Sequence, residues 1–183
     1  MVATDTKMIL FGAPGSGKGT QALKLAKELK LKSISLGDIL RLEVSKASDL
    51  GKQVHEYMQK GLLVPDGLVS KVIEENLISG GFILDGYPRN LDQAKTLDDI
   101  LTRKNLKLDF FIYLEIDENT ITKRLLKRGR GDDDPLVIKK RWEVFIEECN
   151  KILKHYKNKK KLIIVDGRGG IDEVFSRIKD VLK

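Results

Sequence analysis

At 183 residues and 20.7 kDa, with 41% hydrophobic and 33% charged side chains, the sequence has the size and composition of one folded unit and excludes a disordered or fibrous chain. Lysine and arginine number 34 against 27 aspartates and glutamates, and the formal net charge of +7 favours anionic partners without choosing among them. The single cysteine, Cys149, excludes an internal disulfide and a cysteine-built zinc site, and no run reaches the ~18 apolar residues of a membrane span, so the expected setting is the cytoplasm with no membrane partner.

Met8 to Phe11 is a short apolar run that predicts a strand, and Ala22, Leu25, Ala26 and Leu29 predict the helix after it. Ser33 to Leu36 reads as a second strand. Gly37 to Gly67 then breaks the alternation, being helical and polar, and reads as an insert. Further strands are predicted at Phe82 to Leu84 and Phe110 to Ile116. Gly129 to Pro135, charged and punctuated by glycine, is a second interruption. Between Asp134 and Tyr156 the apolar residues Ile138, Trp142, Phe145, Cys149, Ile152 and Tyr156 recur in steps of four and three, which predicts one long amphipathic helix with Pro135 in its first turn. Trp142 and Cys149 are read as core packing. Leu162 to Val165 predicts the last strand, leading through Asp166 and Gly167 to a helix with Ile171, Val174, Phe175, Ile178, Val181 and Leu182 on one face.

This rhythm predicts an α/β fold with a parallel sheet between two layers of helices. The lysine-dense stretch Lys154 to Lys161 is poor in arginine and is expected to be a solvated connector. No nucleic-acid-binding module is recognisable, so nucleic acid is not an expected partner. No apolar stripe asks for a partner chain, which makes a monomer the expectation.

The segment Gly12-Ala13-Pro14-Gly15-Ser16-Gly17-Lys18-Gly19-Thr20 follows the first strand directly and opens a helix, the setting that a phosphate-binding loop requires. Its glycines let successive backbone N–H groups turn toward phosphate oxygens, the helix N-terminus adds partial positive charge, and Lys18 reaches the β and γ phosphates. Gly19 separates the lysine from the hydroxyl of Thr20, whereas the general pattern has them adjacent. Binding of ATP or GTP follows. Asp85 ends the run Phe82-Ile83-Leu84 and so falls at the carboxyl edge of the sheet, beside the phosphate loop, where a carboxylate can orient the hydration shell of Mg²⁺.

GAPGSGKGT, then Ser35-Leu36-Gly37-Asp38 with Arg41, then Asp85-Gly86-Tyr87-Pro88-Arg89, occur in that order over most of the sequence, which resembles the adenylate kinase family. The resemblance implies a P-loop three-layer fold with an insert binding the nucleoside monophosphate at about 37–67 and a very short lid at about 128–134. The activity implied is reversible transfer of the terminal phosphoryl of Mg-ATP to AMP. Gly15, Ser16, Gly17, Lys18, Gly19, Thr20, Arg124, Arg128 and Gly169 would then bind ATP, with Thr20 and Asp85 holding Mg²⁺ mainly through water. Leu36, Arg41, Leu62, Leu63, Val64, Gly86, Tyr87, Pro88, Arg89, Gln93, Arg130 and Arg141 would bind AMP. Lys18, Arg89, Arg128, Arg130 and Arg141 would form the catalytic group, the last three gathered on the transferring phosphoryl, with Arg128 and Arg130 interchangeable in these roles. No zinc is implied.

Acceptor identity rests on two positions that pull apart. Gln93 matches the glutamine that adenylate kinases use on the AMP base, whereas Leu36 stands where they usually carry threonine; AMP is expected, with selectivity relaxed toward dAMP or CMP. An acceptor phosphate already offers an anionic oxygen, so no general base is needed, and His55 and His155 are expected at the surface. The alternatives are a UMP/CMP-type or broad monophosphate kinase, a P-loop switch and a nucleic-acid-dependent ATPase. No guanine-reading Asn-Lys-x-Asp supports the switch, and net charge alone supports the ATPase.

Overall fold

The computed structural model describes residues 4–46, 48–129 and 133–182. Its sheet has five parallel strands: β1 (Lys7–Phe11), β2 (Lys32–Ser35), β3 (Phe82–Asp85), β4 (Phe110–Glu115) and β5 (Leu162–Asp166), in the order β2-β3-β1-β4-β5. Central β1 sets Lys7 opposite Phe82 and Met8 opposite Phe110. Side chains alternate across a strand, so each central strand feeds two cores. Met8 and Leu10 point into one core with Ile83, Ile112 and Leu114; Ile9 and Phe11 point into the other with Phe82, Leu84, Phe111 and Tyr113.

The first core is closed by α1 (Lys18–Leu29) and α8 (Ile171–Val181), which supply Ala22, Leu25, Val174, Phe175 and Ile178. The opposite face carries α2 (Leu36–Ser45), α3 (Asp49–Gln59), α4 (Asp66–Asn76), α5 (Leu91–Arg103) and the 24-residue α7 (Pro135–Asn158). Helix α6 (Glu118–Arg128) packs on α7 around a third cluster of Ala13, Ile116, Ile121, Leu125 and Ile138, with Trp142 and Phe145 against it. Pro135 stands in the first turn of α7, and the Asp134 carboxylate caps that turn by accepting from the Leu136 N–H at 2.8 Å.

Three details depart from the sequence pattern. Leu36 begins α2 and does not end β2, because the Ser35 hydroxyl accepts the Asp38 N–H and turns the chain into a helix at once. Ile171 and Val181 lie on the stripe predicted for the last helix but are 57% and 41% exposed, at its first and last positions. Ile171 instead faces the cleft described below. Among the described residues no helix is long and apolar enough to cross a membrane.

Candidate active site

Three phosphate-loop glycines have positive φ: Gly12 at 155°, and Gly15 and Gly17, squarely left-handed, at 86° and 92°. A side chain on Gly15 would also meet Leu125 at 2.8 Å, so α6 comes right up to the loop. Gly17 caps α1 without a side-chain hydrogen bond, which leaves the first N–H groups of the helix facing a cleft of about 470 Å³. Gly15, Ser16, Gly17, Lys18, Gly19 and Thr20 all line it.

Lys18 donates to the Ala13 carbonyl at 3.3 Å. Burial pulls its ammonium down to about 8, against the opposing pull of Asp85, with Arg89, Arg141 and Arg128 adding to the fall. Asp85 closes β3 in the same cleft, and burial pushes its carboxyl up while Lys18 draws it back. Its Oδ1 is buried and has no hydrogen-bond partner among the described residues. A carboxylate in that condition gains most from a cation. No cluster of three or more His, Cys, Asp or Glu among the described residues can cage a metal alone, so phosphate and water must supply the remaining ligands of any bound ion.

Arginines ring the cleft. Arg124, on α6, donates to the carbonyls of Ser16 at 3.2 Å, Gly167 at 3.2 Å and Gly169 at 3.0 Å, and so ties the phosphate loop to the segment after β5. Arg128 is gripped through Nε and Nη2 by the two oxygens of Asp133 at 2.8 and 2.6 Å, a paired geometry that fixes the plane of its guanidinium. Arg41 is ion-paired with Asp38 one helical turn before it. Arg89 donates from Nε to the Gly86 carbonyl at 2.8 Å. Arg141 lines the cleft from α7, where Trp142 turns toward the third cluster. Arg130 and Gly131 lie outside the described residues.

A second, smaller pocket opens off the first and shares Lys18, Arg41, Arg89 and Arg141 with it. Leu62, Leu63, Val64, Gly86, Tyr87 and Pro88 line it, as do Leu40, Met58, Val144 and Phe145. Gly61 brings the insert against α7: at φ 66°, a Cβ there would meet the Val137 carbonyl at 3.1 Å and Arg141 Cγ at 3.2 Å. Leu36 and Gln93 do not line this pocket. Both are 1% exposed, and the Gln93 amide is engaged at both ends, Oε1 accepting from the Arg89 N–H and Nε2 donating to Asp66, each at 2.8 Å. His55 is exposed, and His155 lies within 2.6 Å of Asp98 near the far end of α7.

The adenylate kinase family model matches residues 10–161, which runs from the phosphate loop to the last strand. The chain belongs to the adenylate kinase family. It is similar to the adenylate kinase of Prochlorococcus marinus, 41% identical over 96% of this chain and 98% of that one, and to that of Nocardia farcinica, 41% identical over 93% and 96%. Adenylate kinase 1 of Synechocystis is 39% identical over 96% of both chains. A kinase family disfavours the switch and nucleic-acid readings.

Several residues of this adenylate kinase site escaped sequence reasoning. The Asp38–Arg41 pair has helical spacing and was open to view, but Asp133 sits five residues beyond Arg128 across a turn. Met58, Val144 and Phe145 reach the second pocket from elements that only the tertiary fold brings together.

Proposed function

We propose that the chain transfers the terminal phosphoryl group of Mg-ATP to AMP, reversibly, giving two ADP. The observation that carries this reading is the pair of adjoining pockets that share one lysine and three arginines along their common wall, with a phosphate loop on one side and an apolar chamber on the other. A triphosphate and a monophosphate meeting there present many negative charges, and fixed cations offset them.

On the donor side, backbone N–H groups of Gly15 to Thr20 and the Lys18 ammonium hold the β and γ phosphates, while Arg124 and Gly169 border the nucleoside. On the acceptor side, Arg41 and Arg89 clamp the monophosphate and the base enters the chamber of Leu62, Leu63, Val64, Gly86, Tyr87 and Pro88, with Leu36 and Gln93 behind its wall. An AMP phosphate oxygen forms the new bond to the γ phosphorus as the bond to the β–γ bridging oxygen breaks. Arg128, Arg130 and Arg141 stabilise the charge on the moving group. Thr20 and Asp85 would hold Mg²⁺, mainly through water, and the ion would supply charge neutralisation on the donor phosphates. The insert near 37–67 and the lid near 128–134 close over the substrates and exclude water. The same reading has the chain act as a monomer on free nucleotides in the cytoplasm.

The Gln93 amide is already engaged and Leu36 is apolar, so dAMP and CMP are accepted alongside AMP, more slowly. The test is ADP formation from Mg-ATP with AMP, dAMP, CMP, UMP and GMP offered separately, beside a control without acceptor. Strong dependence on AMP is expected. ATP loss at the same rate without acceptor contradicts the reading.

A further inference from the structure

Asp66 opens α4 at the edge of the insert, and its carboxylate has two neutral amides as partners. Gln93 Nε2 donates to Oδ1 at 2.8 Å, and Asn90 Nδ2 donates to Oδ1 and Oδ2 at 3.1 and 3.0 Å. Asn90 in turn caps α5, its Oδ1 accepting the Gln93 N–H at 2.7 Å. Beyond Gln93 the bonds continue to Arg89, which is held at its backbone N–H by Gln93 Oε1 and at Nε by the Gly86 carbonyl. One connected set of hydrogen bonds therefore runs from the first turn of α4 to an arginine shared by both pockets.

The chemistry of the partners gives this set a direction. A glutamine amide has nearly the same shape in its two orientations, but a carboxylate only accepts. Facing Asp66, the Gln93 amide must point its NH₂ at the carboxylate, and its oxygen is then the atom left to meet the Arg89 N–H. The reverse orientation would set an oxygen against a carboxylate and an NH₂ against an N–H.

We infer that Asp66 is a positioning residue for the acceptor phosphate: it fixes the orientation of the Gln93 amide, which holds the backbone of Arg89 and thereby aims its guanidinium. The inference rests on the phosphotransfer reading of the site. It assigns Gln93 a part in placing the arginine clamp, through a residue on the insert.

The test exchanges donor and acceptor. Gln93→Glu sets two carboxylates against each other, and its KM for AMP is expected to rise about tenfold or more while KM for ATP stays within about twofold. Adding Asp66→Asn restores the pair with its polarity reversed: the Asn NH₂ donates to the new carboxylate, its oxygen still accepts from Asn90, and the other carboxylate oxygen still accepts the Arg89 N–H. The double variant is expected to recover to within about threefold of the parent. A double variant as impaired as Gln93→Glu alone would overturn the inference, because Gln93 would then act on the acceptor directly. An equal rise in both KM values, tracking a fall in melting temperature, would also overturn it, since that is a purely structural effect. Absence of AMP-dependent turnover in the parent protein is a separate result, and it would sink the phosphotransfer reading itself.

Discussion

Arg89 joins the wall shared by the two pockets to the scaffold behind it. Its Nε is spent on the Gly86 carbonyl, which orients the guanidinium toward the wall shared by the two pockets. Arg89→Ala is expected to lower kcat/KM for AMP about a hundredfold or more, since the proposed clamp on the acceptor phosphate loses a fixed charge, with circular dichroism and melting temperature little changed. Transfer near the parent rate contradicts that role. Cys149 offers a contrast, because its chemistry is suppressed. Burial pushes its thiol up to about 11 from an ordinary value of 9.0. The folded protein keeps that proton where the unfolded chain releases it, so the stabilising contribution is complete below about pH 9 and disappears as pH rises toward about 11. Chemical denaturation across that interval should show falling stability, and Cys149→Ala should flatten the fall. That the phosphate loop, Asp85, Arg41, Arg89, Arg128 and Arg141 meet in one cleft was legible in the sequence, because their motifs are written in local order along the chain. Asp66 and Asp133 were not, since their roles come from partners that a turn or another element delivers.

Among the elements, α2 and α3 come close together at Gly51. A Cβ on Gly51 would lie 2.3 Å from the Glu43 carbonyl oxygen, a backbone atom that cannot swing aside. Gly51→Ala therefore has to separate the two helices, and urea unfolding should report a loss of about 1–3 kcal/mol. Arg41 sits on α2 and Met58 on α3, so KM for AMP should rise in the same variant while KM for ATP changes less. Unchanged stability would mean that the helices part without strain. Four of the five strands were legible as apolar runs, because a strand covered on both faces needs no polar alternation, whereas the edge strand β2, Lys-Ser-Ile-Ser, was read one residue out of step. The interior of the insert was not. Its three helices are set apart by Ser35 and Ser48, whose hydroxyls accept the Asp38 and Gly51 N–H groups, and by Pro65, breaks too local for an overall helical and polar pattern to reveal.

At the scale of the molecule, the two cores are joined through the strands that serve both, and Phe111 stands at the middle of the larger one. It is fully buried, stacked on Tyr156 at 3.9 Å between ring centroids and tilted against Phe11 at 5.2 Å. Phe111→Ala should cost about 3–5 kcal/mol, read as a shift in the denaturant midpoint. A much smaller loss would mean that α7 collapses onto the sheet to refill the space. The topology itself has a consequence for how the molecule is made. Strand β1 is synthesised first, yet its two neighbours begin at Phe82 and Phe110, the second beyond the midpoint of the 183 residues. The segment bearing the phosphate loop must therefore wait on the ribosome without a sheet to join, its ends held apart by the entropy of a long open loop. The cleft is complete later still, since Arg124, Arg128, Arg141 and Gly169 line it from beyond Glu115, so the full stabilisation that a bound nucleotide can give comes only to a chain that has already built its sheet around β1.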